Sequence, residues 1–124
     1  AESLDSSAAL ARLSDQLDSV TRVHPELAER IGSARRSLDR LDRSGKPAGD
    51  IEASLARLDR RLSNDLAEAL SAERRRRIES RVEELLSKAR VKMDREAEEK
   101  TRRALMRRTL RDELALPRLT LLPE

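Results

Sequence analysis

The sequence predicts an all-α fold, in which an antiparallel helical hairpin sits in a small helical bundle and a long, partly protruding C-terminal helix follows. Leucines and isoleucines recur at steps of four and three on both sides of the segment 44–49. Charged residues make up 41% of the chain and hydrophobic residues 37%, which is typical of coiled coils and long exposed helices. The chain contains no aromatic residue, so its core must be built mainly from leucine and alanine.

The first predicted helix covers residues 3–22 and is followed by Pro25. A proline inside a continuous helix costs about 3 kcal/mol, because it removes a hydrogen bond and clashes with the preceding turn. In the first turn of a helix it breaks no hydrogen bond. We therefore expect a break or sharp kink at 23–25. The apolar spacing continues across this point, so a single kinked helix is the alternative.

The hairpin is predicted from the turn at 44–49, which contains two glycines and a proline. A second helix should cover about 25–43, and Asp50 is a good N-cap for the third helix. Folding the chain at this turn places the apolar side chains of the two helices opposite one another. The expected pairs are Leu38 with Leu55, Ile31 with Leu62 and Leu27 with Leu66.

A second break is expected near 70–72, where Ser71 followed by Glu73 is typical of a new helix start. A continuous passage from the third helix into the fourth is the alternative. The last helix is predicted over 72–115, a length of about 65 Å at 1.5 Å per residue. Its apolar face is thin over 87–103, where acidic and basic residues alternate at helical spacing. Such a helix is expected to protrude from the bundle.

These features divide the chain into a helical bundle at 1–103 and an interaction segment at 104–124. Apolar residues return in the second part, on a helix end that Pro117 terminates and on a short leucine-rich tail. Because no intramolecular surface is evident for these leucines, we expect them to bind either a protein partner or a second copy of the chain, and a homo-oligomer is the favoured interpretation. The predicted partner-binding residues are Leu105, Leu110, Leu114, Leu116, Leu119, Leu121 and Leu122.

The basic residues suggest an alternative function. Net charge is +3, and the excess lies in the second half of the chain. Arg103, Arg107 and Arg111 share one face of the predicted last helix and could contact successive phosphates of a nucleic acid. The run Arg74–Arg77 points around most of the helix cylinder, so a solvated and partly paired surface is the preferred interpretation there. No aromatic residue is present to stack on a base.

No catalytic, cofactor-binding or metal-binding residue is predicted. His24 is the single histidine and the chain has no cysteine, so His24 has no histidine or cysteine partner for metal binding or catalysis. Neighbouring glutamates occur, but the Glu-x-x-His pattern of di-iron bundles is missing. An enzyme is therefore not expected, and no cofactor is implied.

The sequence thus favours a non-catalytic helical protein-interaction or oligomerisation module, with a nucleic-acid-associated module as the alternative. No apolar run is long enough to span a bilayer, so no membrane contact is expected. The first residue is not methionine. We expect the chain to be part of a larger cytoplasmic protein.

Overall fold

The computed structural model describes residues 5–89 and 92–122, and all regular secondary structure within them is helical. The all-α class predicted from the sequence is confirmed. Helices α1 and α2 lie side by side, α2 packs on α3, and α5 packs against both α3 and α4. The helices are α1 (Ser6–Val23), α2 (Ala28–Arg43), α3 (Ala48–Ala69), α4 (Ala72–Lys88) and α5 (Arg95–Leu114).

Helices α1 and α2 are separate, and a short 3-10 turn at Pro25–Leu27 joins them. The backbone of His24 has φ −126° and ψ 71°, outside the helical region, as steric crowding before a proline requires. The chain then reverses, so that the Arg35 guanidinium of α2 donates to the Ser14 hydroxyl of α1 at 3.0 Å and to the Asp18 carboxylate at 3.1 Å.

The turn between α2 and α3 contains Gly45 in the left-handed region, with φ 67°. Glycine adopts this conformation without the steric cost that a Cβ imposes. Helix α3 begins earlier than expected, with Pro47 rather than Asp50 as its N-cap. Asp50 instead lies in the first turn of α3, where its negative charge is favourable beside the helix N-terminus.

The break between α3 and α4 is stabilised by side chains from both sides. Leu70 has the extended values φ −71° and ψ 151°, and the Ser71 hydroxyl accepts a hydrogen bond of 3.2 Å from the backbone N–H of Arg74. The Arg75 side chain donates to the carbonyls of Ala67 and Glu68, both at 2.9 Å. These bonds satisfy backbone groups that helix ends leave without intrahelical partners.

The prediction of one long helix over 72–115 is wrong. Helix α4 ends at Lys88, and α5 begins at Arg95 after Asp94, whose carboxylate caps α5 by accepting a 2.8 Å hydrogen bond from the Ala97 N–H. The chain folds back, so α4 and α5 form a second hairpin. Charge pairs along a helix contribute only about 0.2–0.5 kcal/mol each. Burying a leucine side chain contributes roughly 1.5–3 kcal/mol, which favours the folded-back arrangement.

The end of α5 turns the chain back toward α3. Ala115 adopts the left-handed conformation with φ 55°, and the Leu116 N–H donates to the Arg111 carbonyl at 3.0 Å. This hydrogen bond is the one that closes a Schellman motif at a helix C-terminus. The tail that follows runs along α3, where the Leu121 N–H donates to the Glu52 carboxylate at 2.9 Å.

Most buried apolar side chains belong to one continuous core, which includes residues from α1, α2, α3, α5 and the tail. Helix α5 runs across the expected division between 1–103 and 104–124, and it contributes Leu110 and Leu114 to this core. Val82 and Leu86 are buried outside the continuous core, in the hairpin of α4 and α5. The role of 104–124 as an interaction segment concerns a partner and stays a prediction.

Replacing Leu110 with alanine should lower the free energy of unfolding by about 2–5 kcal/mol, because its side chain is completely buried and its removal leaves a cavity. Chemical denaturation followed by circular dichroism measures this change. Val23→Ala is the control, since Val23 is 71% exposed and its truncation should change the free energy by less than about 0.5 kcal/mol. Equal effects of the two substitutions would contradict the described core.

Candidate interaction cleft

The structure places most of the seven predicted partner-binding leucines inside the protein's own core. The expectation that they lack an intramolecular surface is wrong, because the fold-back of α5 and the tail supplies one. Four of the seven are buried, namely Leu110, Leu114, Leu119 and Leu121. Leu105 and Leu116 are half-buried, and Leu122 is exposed.

The predicted arginine stripe is divided between two surfaces. Arg107 and Arg111 line an open cleft between α3, α5 and the tail, with a volume of about 740 Å³. Arg103 instead lines a second cleft between α4 and α5. We call the first the arginine cleft; its lining residues are Glu52, Ala56, Asp59, Arg60, Arg107, Arg111, Arg118, Leu119, Thr120 and Leu122.

Three elements bring these residues together. On α3, the lining positions 52, 56, 59 and 60 fall on one face, since residues three and four apart are neighbours on a helix. Arg107 and Arg111 are one turn apart on α5 for the same reason. The left-handed turn at Ala115 then returns the tail and places Arg118 on the cleft. Arg60 and Arg118 are not among the contact residues predicted from the sequence, because no local pattern links them to α5.

The positive charges of the cleft are only partly neutralised within the chain. The Arg111 guanidinium lies 3.8 Å from the Asp59 carboxylate, a long ion pair. Over residues 5–89 and 92–122, Arg60, Arg107 and Arg118 form no ion pair and no side-chain hydrogen bond. The cleft therefore presents three guanidinium groups from three different elements, each with its donors available to a ligand.

Two of the three arginines that line the second cleft, Arg102 and Arg103, are paired. The Arg102 Nε lies 2.7 Å from the Glu83 carboxylate of α4, and Arg103 Nη1 lies 3.0 Å from Glu99. The hydrogen bond from Arg102 lowers the pKa of the Glu83 carboxyl below its ordinary value, since it stabilises the charged form. Arg103 thus lines a different cleft from Arg107 and Arg111 and is paired with Glu99, and the phosphate contacts expected of the three arginines stay a prediction.

Part of the basic run on α4 has structural partners. Arg75 caps α3 as described above, and Arg74 lies 3.5 Å from Glu113 and 3.4 Å from the His24 ring. His24 itself occupies the boundary between α1 and the 3-10 turn. In the part of the chain that the structure describes, no group of three acidic, histidine or cysteine side chains is arranged to hold a metal ion.

Comparisons with protein-family models, with curated proteins and with solved structures find no match to this chain. None of the described helices combines the length and the hydropathy that crossing a bilayer requires.

The ion pair between α4 and α5 gives a prediction for the titration of Glu83. Its pKa should lie below the ordinary glutamate value, and Arg102→Gln should raise it toward that value by removing the hydrogen bond. Because the pKa is lowered on folding, the pair's stabilisation is present above the pKa of the unfolded chain and is lost as the pH falls through the folded value. Carboxyl carbon NMR measures the titration.

Glu84 is the internal control for this titration. Its pKa is lowered by hydrogen bonds from Lys88 and Arg81, both on α4. Arg102→Gln should therefore leave the Glu84 titration unchanged. An unchanged Glu83 titration in the same variant would show that α4 and α5 are not joined by this contact.

Proposed function

We propose that this chain is a non-catalytic protein-interaction module that binds an acidic segment of another protein in the arginine cleft. The observation that carries the proposal is a set of three arginines that line one cleft from α3, α5 and the tail and have no ion pair among the described residues: Arg60, Arg107 and Arg118. By contrast, Arg102 and Arg103 on the neighbouring surface are each paired with a glutamate.

Convergent arginines favour an anionic ligand for a physical reason. Like charges that a fold brings together repel one another, and a bound anion relieves this repulsion. The planar guanidinium group can donate two parallel hydrogen bonds to one carboxylate, so arginine suits the recognition of acidic side chains. The open shape of the cleft gives an extended segment access to all three groups.

The composition of the cleft favours a protein partner over a nucleic acid. The carboxylates of Glu52 and Asp59 belong to its wall, where they oppose a regularly charged phosphate backbone. A polypeptide can place uncharged residues opposite them. The chain also has no aromatic side chain to stack on a base, and its net charge of +3 is small for a nucleic-acid-binding domain.

The proposed partner is a different protein rather than a second copy. The self-association expected from the sequence depended on leucines that the structure largely buries in the monomer. Within the described residues, only Val23 and Leu122 are large hydrophobic side chains with high exposure. A stable homodimer usually has a more extensive apolar interface.

We also propose the cytoplasmic location that was expected from the sequence. The absence of cysteine is compatible with this location.

Replacing Arg60, Arg107 and Arg118 together with glutamine should weaken binding of poly-glutamate about tenfold, because three exposed charge pairs of about 0.5 kcal/mol each are lost. Fluorescence anisotropy of labelled poly-glutamate at low and moderate salt measures the affinity. The control variant replaces Arg12, Arg30 and Arg36 with glutamine. These arginines are exposed on α1 and α2 and have no ion pair in the described structure. It changes the net charge by the same amount.

A larger loss of affinity in the cleft variant than in the control supports the proposal. Equal losses would show that poly-glutamate responds only to net charge and would contradict it. Duplex RNA and duplex DNA are measured in parallel. Tighter, cleft-dependent binding of either polymer than of poly-glutamate would favour the nucleic-acid alternative instead.

A further inference from the structure

One leucine of the tail is exposed although its neighbours are buried. Leu119 and Leu121 belong to the core, whereas Leu122 is 58% exposed. A single exposed leucine on a protein surface needs no explanation by itself. Leu122 differs because it lines the arginine cleft, beside the side chains that the proposed acidic segment would contact.

The backbone that carries Leu122 is held in place by adjacent hydrogen bonds. The Leu121 N–H donates to the Glu52 carboxylate at 2.9 Å, and the Leu122 N–H donates to the Thr120 hydroxyl at 3.2 Å. Burial of the Leu119 and Leu121 side chains anchors the same residues to the core. An apolar group that is already positioned loses less conformational entropy when a ligand packs on it.

The cleft therefore has an apolar part and a basic part. Leu122 and Ala56 supply exposed aliphatic surface, while the arginines supply charge. Protein interfaces commonly combine an apolar centre with polar groups around it. A purely acidic segment would satisfy the arginines and leave the leucine in water.

We propose that the segment bound in the arginine cleft carries an aliphatic side chain next to its acidic residues, and that this side chain packs on Leu122. The inference rests on the proposed function and makes it more specific. The acidic residues bind Arg60, Arg107 and Arg118, and Leu122 selects among acidic segments by their apolar content. Leu122 is thus a specificity-determining residue of the cleft.

Two synthetic peptides test this inference, and both are rich in glutamate. The leucine peptide has leucines near one end, and the alanine peptide is identical except that alanines replace these leucines. The wild-type protein should bind the leucine peptide about tenfold more tightly, since burial of aliphatic surface is added to the charge pairs. Leu122→Ala should remove most of this preference, and Leu122→Met should retain it because methionine also presents an aliphatic surface. Isothermal titration calorimetry measures all affinities.

Val23→Ala is the matched control, because Val23 is also exposed but lies at the end of α1, outside the arginine cleft. It should leave the preference for the leucine peptide unchanged. Both leucine substitutions are at an exposed position, and thermal unfolding by circular dichroism verifies that the variants fold as the wild type does.

The result identifies which proposal fails. Equal affinity of the wild type for the two peptides, or a leucine preference that survives Leu122→Ala, would overturn the role of Leu122 while leaving the arginine cleft as a binding site. If the arginine substitutions in the cleft change the affinity for neither peptide, the proposed function itself fails, and the role of Leu122 fails with it.

Discussion

The burial of Leu110 and Leu114 in the same core as α1, α2 and α3 is the interaction on which the rest of the structure depends. It requires α5 to fold back on α4 rather than to continue it. The free energy gained by removing each leucine side chain from water exceeds that of the charge pairs along an extended helix. Once α5 is held in this position, its C-terminal turn at Ala115 directs the tail along α3. The arginine cleft exists because these three elements then border one space.

The distribution of charge follows from this packing. Where two helices bring acids and bases into register, as at Glu83 and Arg102, the side chains pair with each other. The cleft has an excess of arginines over carboxylates, and one of its two acids is already engaged by the Leu121 N–H. Guanidinium groups are therefore left with available donors at a concave surface. The fold positions them on two helices and on a tail anchored by buried leucines, so the cleft is largely preorganised.

The leucines of the C-terminal part illustrate how one sequence pattern supports opposite interpretations. Clustered apolar residues after a polar stretch indicate burial, but they do not specify whether the covering surface belongs to the same chain or to another. The structure assigns most of them to the core of the same chain. Leu122 remains exposed because the tail alternates between side chains directed into the core and those directed away from it. Adjacent tail residues therefore differ in role. Leu121 is part of the core, whereas Leu122 is exposed and available for the proposed contact with a ligand.

By itself, the sequence determined the helical class and the two leucine-rich helices around the turn, because helical periodicity, glycine and proline act locally. It also excluded the chemistry that needs cysteine or a second histidine. Only the tertiary structure decided the reversal between α4 and α5. A capping residue such as Asp94 permits a helix to start, but the burial of distant leucines decides whether the chain folds back there. The cleft could not be predicted from the sequence for the same reason. Arg60, Arg107 and Arg118 line one cleft only when three separate elements pack together.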